Sequence, residues 1–164
     1  MRLFHYLDFR LHFSECNMDK YGGKKYYTMD LKKLKFYLVD DSNEFLIAMK
    51  LYLEQELGVK IIGVAKDGSE ALNDPEIFSA DFILMDIIMK NIDGIRATNQ
   101  LSQHGIESKI IAITNSREYY NKQDLIKIGF KGCISKNLVF KELNIALDDI
   151  IKGKHYFSSN IVIS

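Results

Sequence analysis

The sequence predicts an α/β protein in which helices cover both faces of a parallel sheet. Five short apolar runs alternate with five helical segments between residues 34 and 152, and this alternation is typical of parallel sheets. Two of the runs end in carboxylates, the first at Asp40 and Asp41 and the third at Asp86. Because sites in such sheets form where the carboxyl ends of the strands meet, we expect a polar site at this edge.

The five apolar runs have the length of buried strands. Strands that are covered on both faces are continuously hydrophobic rather than alternating, and crossovers between them are nearly always right-handed. The predicted strands span residues 36–39, 60–65, 81–86, 109–114 and 131–135.

The predicted helices lie between and after these strands. Ser42 or Asn43 can cap the first helix, and Gly58 and Gly129 follow two of the helices as stop signals. The second helix contains Pro75, the only proline of the chain. Proline removes a backbone hydrogen bond, so we expect this helix to be short, broken or restarted there. The helices span about residues 43–57, 68–79, 95–103, 116–128 and 138–152.

One face of the first helix carries apolar side chains at helical spacing, which predicts that this face belongs to the core. These residues are Phe45, Leu46, Met49, Leu53 and Leu57.

Residues 1–33 differ from the rest of the chain. A Tyr-Gly-Gly-Lys-Lys stretch at residues 21–25 would break regular structure, and Met29 would make a sensible start for the domain. We expect an N-terminal extension over residues 1–33 that is disordered or loosely docked, as termini commonly are. The alternative is a short strand or helix that docks through its aromatic side chains.

Composition narrows the classes of function. The chain has 22 basic and 22 acidic residues, so its net charge gives no general attraction to nucleic acid or to anionic membrane. No apolar run is long enough to span a membrane. The two cysteines, Cys16 and Cys133, form neither a disulfide framework nor a metal-binding spacing. These features favour a protein of the reducing cytoplasm.

The residues at the strand ends converge on phosphoryl chemistry. Asp40, Asp41 and Asp86 would repel one another if all were ionised, and Mg²⁺ relieves such repulsion because it prefers carboxylate oxygens. Asp86 could then attack a phosphoryl group, while Lys136 stabilises charge on the phosphoryl oxygens. The hydroxyl of Thr114 can donate a hydrogen bond to the same oxygens. The product would be an aspartyl phosphate.

This set of strand ends resembles the receiver domain of bacterial two-component response regulators. The resemblance covers about residues 34–152 and implies a flavodoxin-like doubly wound sheet of five parallel strands in the order 2-1-3-4-5. The matching stretches are Leu-Val-Asp-Asp at 38–41, Leu-Met-Asp-Ile-Ile-Met at 84–89, Asp-Gly at 93–94, Ile-Thr at 113–114 and Gly-Cys-Ile-Ser-Lys at 132–136.

The resemblance assigns a role to each residue of the site. It implies that a sensor histidine kinase transfers its phosphoryl group to Asp86, so the domain is an acceptor rather than a turnover enzyme. Asp41 and Asp86 would bind Mg²⁺ directly, together with the backbone carbonyl of Ile88, and Asp40 would assist through water. The residues that would hold the phosphoryl group are Thr114 and Lys136.

The end of the chain resembles receivers of the NarL/LuxR type of transcription regulators. The relevant stretches are residues 143–147 and 153–158. In that type a linker leads to a helix–turn–helix domain. We therefore expect residues 153–164 to begin the linker to an output domain that is missing here, through truncation or because the receiver stands alone. DNA would be contacted only through that domain, and phosphorylation would shift conformation or drive formation of a homodimer.

Three residues depart from the family pattern. Lys90 replaces a common proline, Cys133 replaces an aromatic residue that usually moves on phosphorylation, and Asn115 is larger than the usual small residue. Cys133 is interpreted first as a small packed residue, with a redox-sensing thiol as the alternative. These departures leave open a pseudo-receiver that serves as an interaction or dimerisation module without phosphorylation.

Two other functions fit the sequence less well. A phosphatase of the haloacid dehalogenase type would need an aspartate two residues after the nucleophile, where Ile88 stands. A flavodoxin would need a hydroxyl-rich phosphate loop after the first strand, whereas Asp40 and Asp41 would repel the phosphate of the cofactor.

Overall fold

A parallel sheet forms the centre of the computed structural model, which describes residues 13–17, 26–29, 31–115 and 121–159. These residues contain eight strands. In chain order they are β1 (Phe13–Asn17), β2 (Tyr26–Met29), β3 (Lys35–Val39), β4 (Lys60–Ala65), β5 (Phe82–Asp86), β6 (Lys109–Thr114), β7 (Phe130–Ser135) and β8 (Tyr156–Phe157).

Six of these strands make one sheet in the order β4-β3-β5-β6-β7-β8. All of its neighbouring pairs are parallel. Counted along this sheet alone, the order is 2-1-3-4-5-6. The predicted order 2-1-3-4-5 is therefore confirmed, with one short strand added at the edge.

The added strand β8 lies where the sequence predicted the beginning of a linker. Gly132 pairs with Tyr156, and Cys133 pairs with Phe157. Two residues are too few to show a period of their own, so no local pattern predicted a strand. The strand forms because the apolar side chains of Tyr156 and Phe157 pack against the two faces of the core.

Strands β1 and β2 form a separate antiparallel pair within the N-terminal extension. Phe13 lies opposite Met29, and Ser14 lies opposite Thr28. Residues 13–17 and 26–29 are thus paired strands, in line with the alternative of a short strand in the extension. The aromatic and β-branched residues at 26–28 favour extended backbone. The sequence prediction relied instead on the glycines of the stretch at 21–25, which break regular structure.

The helices lie within or close to the predicted ranges, although the fourth begins only at Lys122, after Asn121 in an extended conformation. Ser42 caps the first, accepting a hydrogen bond of 3.2 Å from the backbone N–H of Phe45, and a π-helical turn (Tyr52–Glu56) extends that helix. Residues 116–120, the predicted start of the fourth helix, lie outside the described residues. The helices are α1 (Asn43–Leu51), α2 (Gly68–Asn73), α3 (Gly94–Gln103), α4 (Lys122–Ile128) and α5 (Val139–Ile151).

The chain breaks its second helix at Pro75, as predicted. Helix α2 ends at Asn73, and a 3₁₀ helix (Pro75–Ser79) begins with the proline in its first turn. The carboxylate of Asp74 caps this 3₁₀ helix by accepting a hydrogen bond of 2.9 Å from the backbone N–H of Glu76. Proline is tolerated at this position because the first N–H of a helix has no partner within it.

Successive residues of the central strands point to opposite faces of the sheet, and a separate core lies on each face. Helices α1 and α5 cover one core, which contains Phe36, Leu38 and Leu84 from the strands. Helices α2, α3 and α4 cover the other, which contains Val39 and Met85. The predicted arrangement of helices on both faces is confirmed. None of the helices in the described ranges has the length and apolar character that a membrane span requires.

Candidate functional site

Three aspartates meet at the carboxyl ends of β3 and β5, as predicted. Asp40 directly follows β3 and is 2% exposed, and Asp86 ends β5 and is 5% exposed. Asp41 faces solvent. One carboxylate oxygen from each lies within 4.8 Å of the other two. Neighbouring strands of a parallel sheet end at one edge, which is why residues far apart in sequence share this site.

Lys136 completes the cluster from the loop after β7. Its Nζ lies 2.7 Å from Oδ2 of Asp86 and donates a hydrogen bond to it. The same Nζ lies 2.6 Å from Oδ2 of Asp40. The Lys136 side chain is 11% exposed, so this cation bridges two buried carboxylates and screening by water is weak.

Burial and the contacts of this bridge shift the pKa values of Asp86 and Lys136. Burial raises the pKa of Asp86, and the nearby carboxylate of Asp40 adds to the rise, while the hydrogen bond from Lys136 opposes it. Burial alone would lower the pKa of Lys136, but its hydrogen bonds to Asp40 and Asp86 outweigh burial and raise it. Lys136 therefore stays charged at neutral pH.

An aromatic ring covers this lysine. Nζ of Lys136 lies 4.7 Å from the ring centroid of Phe45, in the first turn of α1. A ring face attracts a cation at this distance. Helical spacing placed Phe45 in the core. In the structure the Phe45 ring is half-buried against the core and also lies beside Lys136. The second contact requires the start of α1 to lie near the end of β7.

The loop that follows Asp86 holds the backbone close to its carboxylate. The N–H of Ile88 donates a hydrogen bond of 3.2 Å to Oδ1 of Asp86, and the N–H of Gly94 donates one of 3.0 Å to the carbonyl of Ile87. A side chain on Gly94 would bring its Cβ within 2.0 Å of the Asp86 carbonyl oxygen. The loop therefore closes tightly only with glycine there.

Thr114 is the last residue of β6. This strand lies between β5, which ends in Asp86, and β7, which Lys136 follows. In the strand register Asp86 lies opposite Ile113, and Thr114 lies opposite Ser135. The backbone N–H of Lys136 donates a hydrogen bond of 3.1 Å to the Thr114 carbonyl. Thr114 is buried, and as the last residue of β6 it lies at the same edge of the sheet as Asp86 and Lys136.

The donor atoms fit a hard divalent cation. The cluster of Asp40, Asp41 and Asp86 offers only carboxylate oxygens, which are the ligands that Mg²⁺ prefers. Two of these carboxylates are buried beside a single lysine, so the cluster still carries excess negative charge that a cation would balance.

The sequence matches the family described as the response regulator receiver domain over residues 36–148. The chain belongs to this family. The receiver has curated relatives among response regulators. The transcriptional regulatory protein LiaR of Bacillus subtilis is 29% identical over 128 residues, covering 78% of this chain and 61% of LiaR. The response regulator UvrY of Escherichia coli K12 is 29% identical over 124 residues, covering 76% of this chain and 57% of UvrY.

Solved receiver structures share the fold. The isolated receiver domain of RcsB from Salmonella enterica, with a phosphomimetic bound, has a TM-score of 0.68 at 22% identity, covering 79% of this chain and 96% of that one. A LuxR-family response regulator from Aurantimonas has a TM-score of 0.69 at 23% identity, covering 79% of this chain and 92% of that one. The predicted resemblance to receiver domains of response regulators is confirmed, and the fold is shared with a receiver described as of the LuxR family. The receiver spans about three-fifths of the length of the curated relatives named above.

The structure shows how this receiver accommodates two of its three departures from the pattern. Lys90 and Asn115 are exposed. The loop that lacks a proline at Lys90 is fastened instead by Asn91, whose Nδ2 donates a hydrogen bond of 2.6 Å to Oδ2 of Asp67. The N–H of Gly68 reinforces it with a hydrogen bond of 2.9 Å to the Ile92 carbonyl. These contacts join distant segments, so the local sequence could not show them.

Cys133 is fully buried in the core under α4. Burial raises the pKa of its thiol to about 12, so the thiolate that reacts with oxidants is scarce at neutral pH. The packed-residue interpretation of Cys133 thus fits its surroundings better than the redox-sensing one.

Proposed function

We propose that this receiver accepts a phosphoryl group on Asp86 from a sensor histidine kinase in the cytoplasm. The observation that supports the proposal most directly is the bridge from Nζ of Lys136 to the buried carboxylates of Asp40 and Asp86. A cation at this place is poised to meet the charge of an incoming phosphoryl group beside the carboxylate that attacks it.

The reaction transfers one phosphoryl group between two side chains. An oxygen of the Asp86 carboxylate attacks phosphorus as the P–N bond to the kinase histidine breaks, and its electron pair stays on the imidazole nitrogen. Lys136 moves its hydrogen bonds towards the phosphoryl oxygens, and the Thr114 hydroxyl donates to one of them. The N–H of Ile88 keeps the attacking carboxylate oriented through its bond to Oδ1. This chemistry makes the domain an acceptor rather than a turnover enzyme.

Asp40, Asp41, Asp86 and the backbone carbonyl of Ile88 would hold Mg²⁺, with Asp40 acting through water. When bound, Mg²⁺ supplies positive charge that relieves the repulsion among the carboxylates and neutralises charge on the phosphoryl oxygens. The carboxylate cluster within 4.8 Å supports this assignment.

The output of the domain is a shift between two conformations, read as formation of a homodimer or as control of transcription. DNA would be bound through a helix–turn–helix domain outside the receiver. Two comparisons support this extension: LiaR is described as a transcriptional regulatory protein, and RcsB has been solved as dimers bound to DNA.

Beryllofluoride, which mimics a phosphoryl group on aspartate, tests the proposal. We expect the wild-type chain to bind it only with Mg²⁺, giving fluorine resonances of a bound species, and to change its amide spectrum or oligomeric state. Asp86→Asn should abolish binding because it lacks a carboxylate nucleophile. The matched control is Asp81→Asn, since Asp81 is exposed at the opposite ends of the strands.

Two results would contradict the proposal. If wild type shows no Mg²⁺-dependent change, the phosphorylation-independent interaction module becomes the better interpretation. If Asp86→Asn still takes up phosphate from acetyl phosphate at the wild-type rate, the acceptor is another residue.

A further inference from the structure

The segment after α5 is tied into the sheet by a buried serine. Ser158 follows β8 directly and is 1% exposed. Its Oγ donates a hydrogen bond to the carboxylate of Glu142 on α5 and accepts one of 3.2 Å from the backbone N–H of Ser135. Its own N–H donates to the Cys133 carbonyl at 2.9 Å. One hydroxyl thus joins β7, α5 and the chain that follows β8.

The strand end that Ser158 holds is the one that presents Lys136. Ser135 is the last residue of β7, and the next residue is Lys136. The Lys136 backbone is fixed on its other side by the bond of its N–H to the Thr114 carbonyl. The position of the Lys136 backbone is therefore set by two neighbours, β6 and the segment containing Ser158.

Phosphoryl transfer to Asp86 changes the partners of Lys136. Before transfer, Nζ of Lys136 contacts Oδ2 of both Asp40 and Asp86. After transfer, one oxygen of Asp86 is bonded to phosphorus in an acyl phosphate, and the negative charge has moved outward onto the phosphoryl oxygens. Lys136 has to follow that charge, and its backbone must keep the lysine within reach of it. A docked β8 favours this because it restrains the backbone of Ser135 and Lys136.

Strand β8 also contacts the fourth helix. The ring of Phe157 lies 4.9 Å from Nζ of Lys122, the first residue of α4, and Phe157 packs against the core that contains Cys133. Cys133 and Phe157 are register partners on adjacent strands. An aromatic ring is thus supplied beside Cys133 by β8, and the same strand contacts α4, α5 and the strand end of the site.

We propose that Ser158 is a positioning residue for the phosphoryl site, which couples docking of β8 to the phosphorylation state of Asp86. The inference rests on the proposed function, because it concerns the regulation of the same site. The two states are β8 docked through Ser158 and β8 released from β7. A ligand that favours the docked state must bind more weakly when docking is weakened, because coupling between two equilibria is reciprocal.

The first test measures the affinity of Ser158→Ala for beryllofluoride in the presence of Mg²⁺, by fluorine NMR titration of the full chain. The variant loses the hydroxyl and leaves the Ser135 N–H without its partner. We expect about three- to tenfold weaker binding, which corresponds to one buried hydrogen bond. Ser158→Thr keeps the hydroxyl and should restore most of the affinity. Ser159→Ala, at the exposed neighbour, should leave it unchanged.

The second test measures hydrogen exchange of backbone amides in wild type, with and without Mg²⁺ and beryllofluoride. We expect the ligand to slow exchange at Ser158 and Ser135 by a factor similar to the loss of affinity in Ser158→Ala. In that variant the ligand should no longer slow exchange at residue 158. Exchange at Leu84 in the centre of the sheet, which should stay slow in the variant, shows whether the variant is folded.

The outcomes separate this inference from the proposed function. If wild type does not bind beryllofluoride with Mg²⁺, the proposed function fails. If wild type binds it but exchange at Ser158 does not change, the coupling is wrong. The same holds if Ser158→Ala and wild type have equal affinity. If Ser158→Ala does not fold, the wild-type exchange experiment alone decides.

Discussion

Lys136 is the residue on which the electrostatics of the site depend. It bridges two buried carboxylates, Asp40 and Asp86, and no second cation contacts them among the ion pairs of the described residues. A buried carboxylate that loses its partner costs far more than an exposed one does. Both the stability of the fold and the reactivity of the site therefore depend on Lys136.

We expect Lys136→Met to lower the free energy of unfolding by roughly 3 kcal/mol at neutral pH, measured in urea without Mg²⁺. Lys136 opposes the rise in the pKa of Asp86, so the variant raises that pKa further above its unfolded value. The folded state then binds more protons than the unfolded state, and stability falls as pH rises. The difference from wild type should thus be smaller at about pH 5 than at neutral pH.

The control for this experiment is Lys50→Met, which changes an exposed lysine on α1 and should alter stability only slightly. A deficit in Lys136→Met that is the same at both pH values would show that the bridge does not control the protonation of Asp86.

Cys133 provides a test of packing at the residue scale. Because its thiol is fully buried and its pKa is raised to about 12, we expect a Cys16→Ser chain to react with iodoacetamide much more slowly when folded than in urea. Labelling is followed by mass spectrometry. Native labelling at the rate of a free thiol would instead support the redox-sensing interpretation.

At the scale of the element, the loop between β5 and α3 is held by a residue in an unusual conformation. Asn91 has a φ of 59°, in the left-handed region that asparagine and glycine tolerate better than other residues. Its side chain also fastens the loop to Asp67, and this bond is the main reason that the pKa of Asp67 is lowered.

Two substitutions separate these contributions. Asn91→Gly removes the hydrogen bond but accepts the positive φ, and because the bond is exposed to water we expect only a small loss of stability. Asn91→Ala removes the bond and adds the strain of a left-handed backbone, and it should cost about 1 kcal/mol more. Urea denaturation measures both. If alanine proves no worse than glycine, the backbone conformation does not contribute as we infer.

The elements themselves followed from the sequence because their signals are local. Buried strands are continuous apolar runs, and the break at Pro75 depends only on the chemistry of proline. The position of the candidate site was predictable because sites in parallel sheets form where the carboxyl ends of the strands meet. The site aspartates and Lys136 were found in this way.

The contacts that sequence reasoning missed join distant segments. The position of Phe45 over Lys136 requires the start of α1 to lie beside the end of β7. Strand β8 consists of two residues and exists only because β7 offers it an edge. The bond between Asp67 and Asn91 likewise joins two loops. No periodic pattern encodes these contacts, since each depends on the folded arrangement.

At the scale of the whole molecule, the site exists only in the folded chain. Its carboxylates come from the ends of β3 and β5, and its lysine follows β7, with β6 lying between β5 and β7 in the sheet. A ligand of this cluster therefore binds the native state and not the unfolded chain, so it must stabilise the fold by mass action.

We expect Mg²⁺ at 100 times its dissociation constant to stabilise wild type by about 2.7 kcal/mol, seen as a rise in the midpoint of thermal unfolding. Asp41→Asn should weaken this effect strongly. Because Asp41 is exposed, the variant should keep the stability of wild type without the metal. The same stabilisation in Asp41→Asn and wild type would remove Asp41 from the ligand set.

The short strand β8 has a consequence for the solubility of the protein. Strand β7 would be the edge of the sheet without it, and its backbone donors and acceptors would be open to pairing with a strand of another molecule. Two residues of β8 and the N–H of Ser158 occupy that edge at Gly132 and Cys133. A chain cut after Gly153 would expose the edge of an apolar strand, and we expect it to aggregate more readily than the full chain.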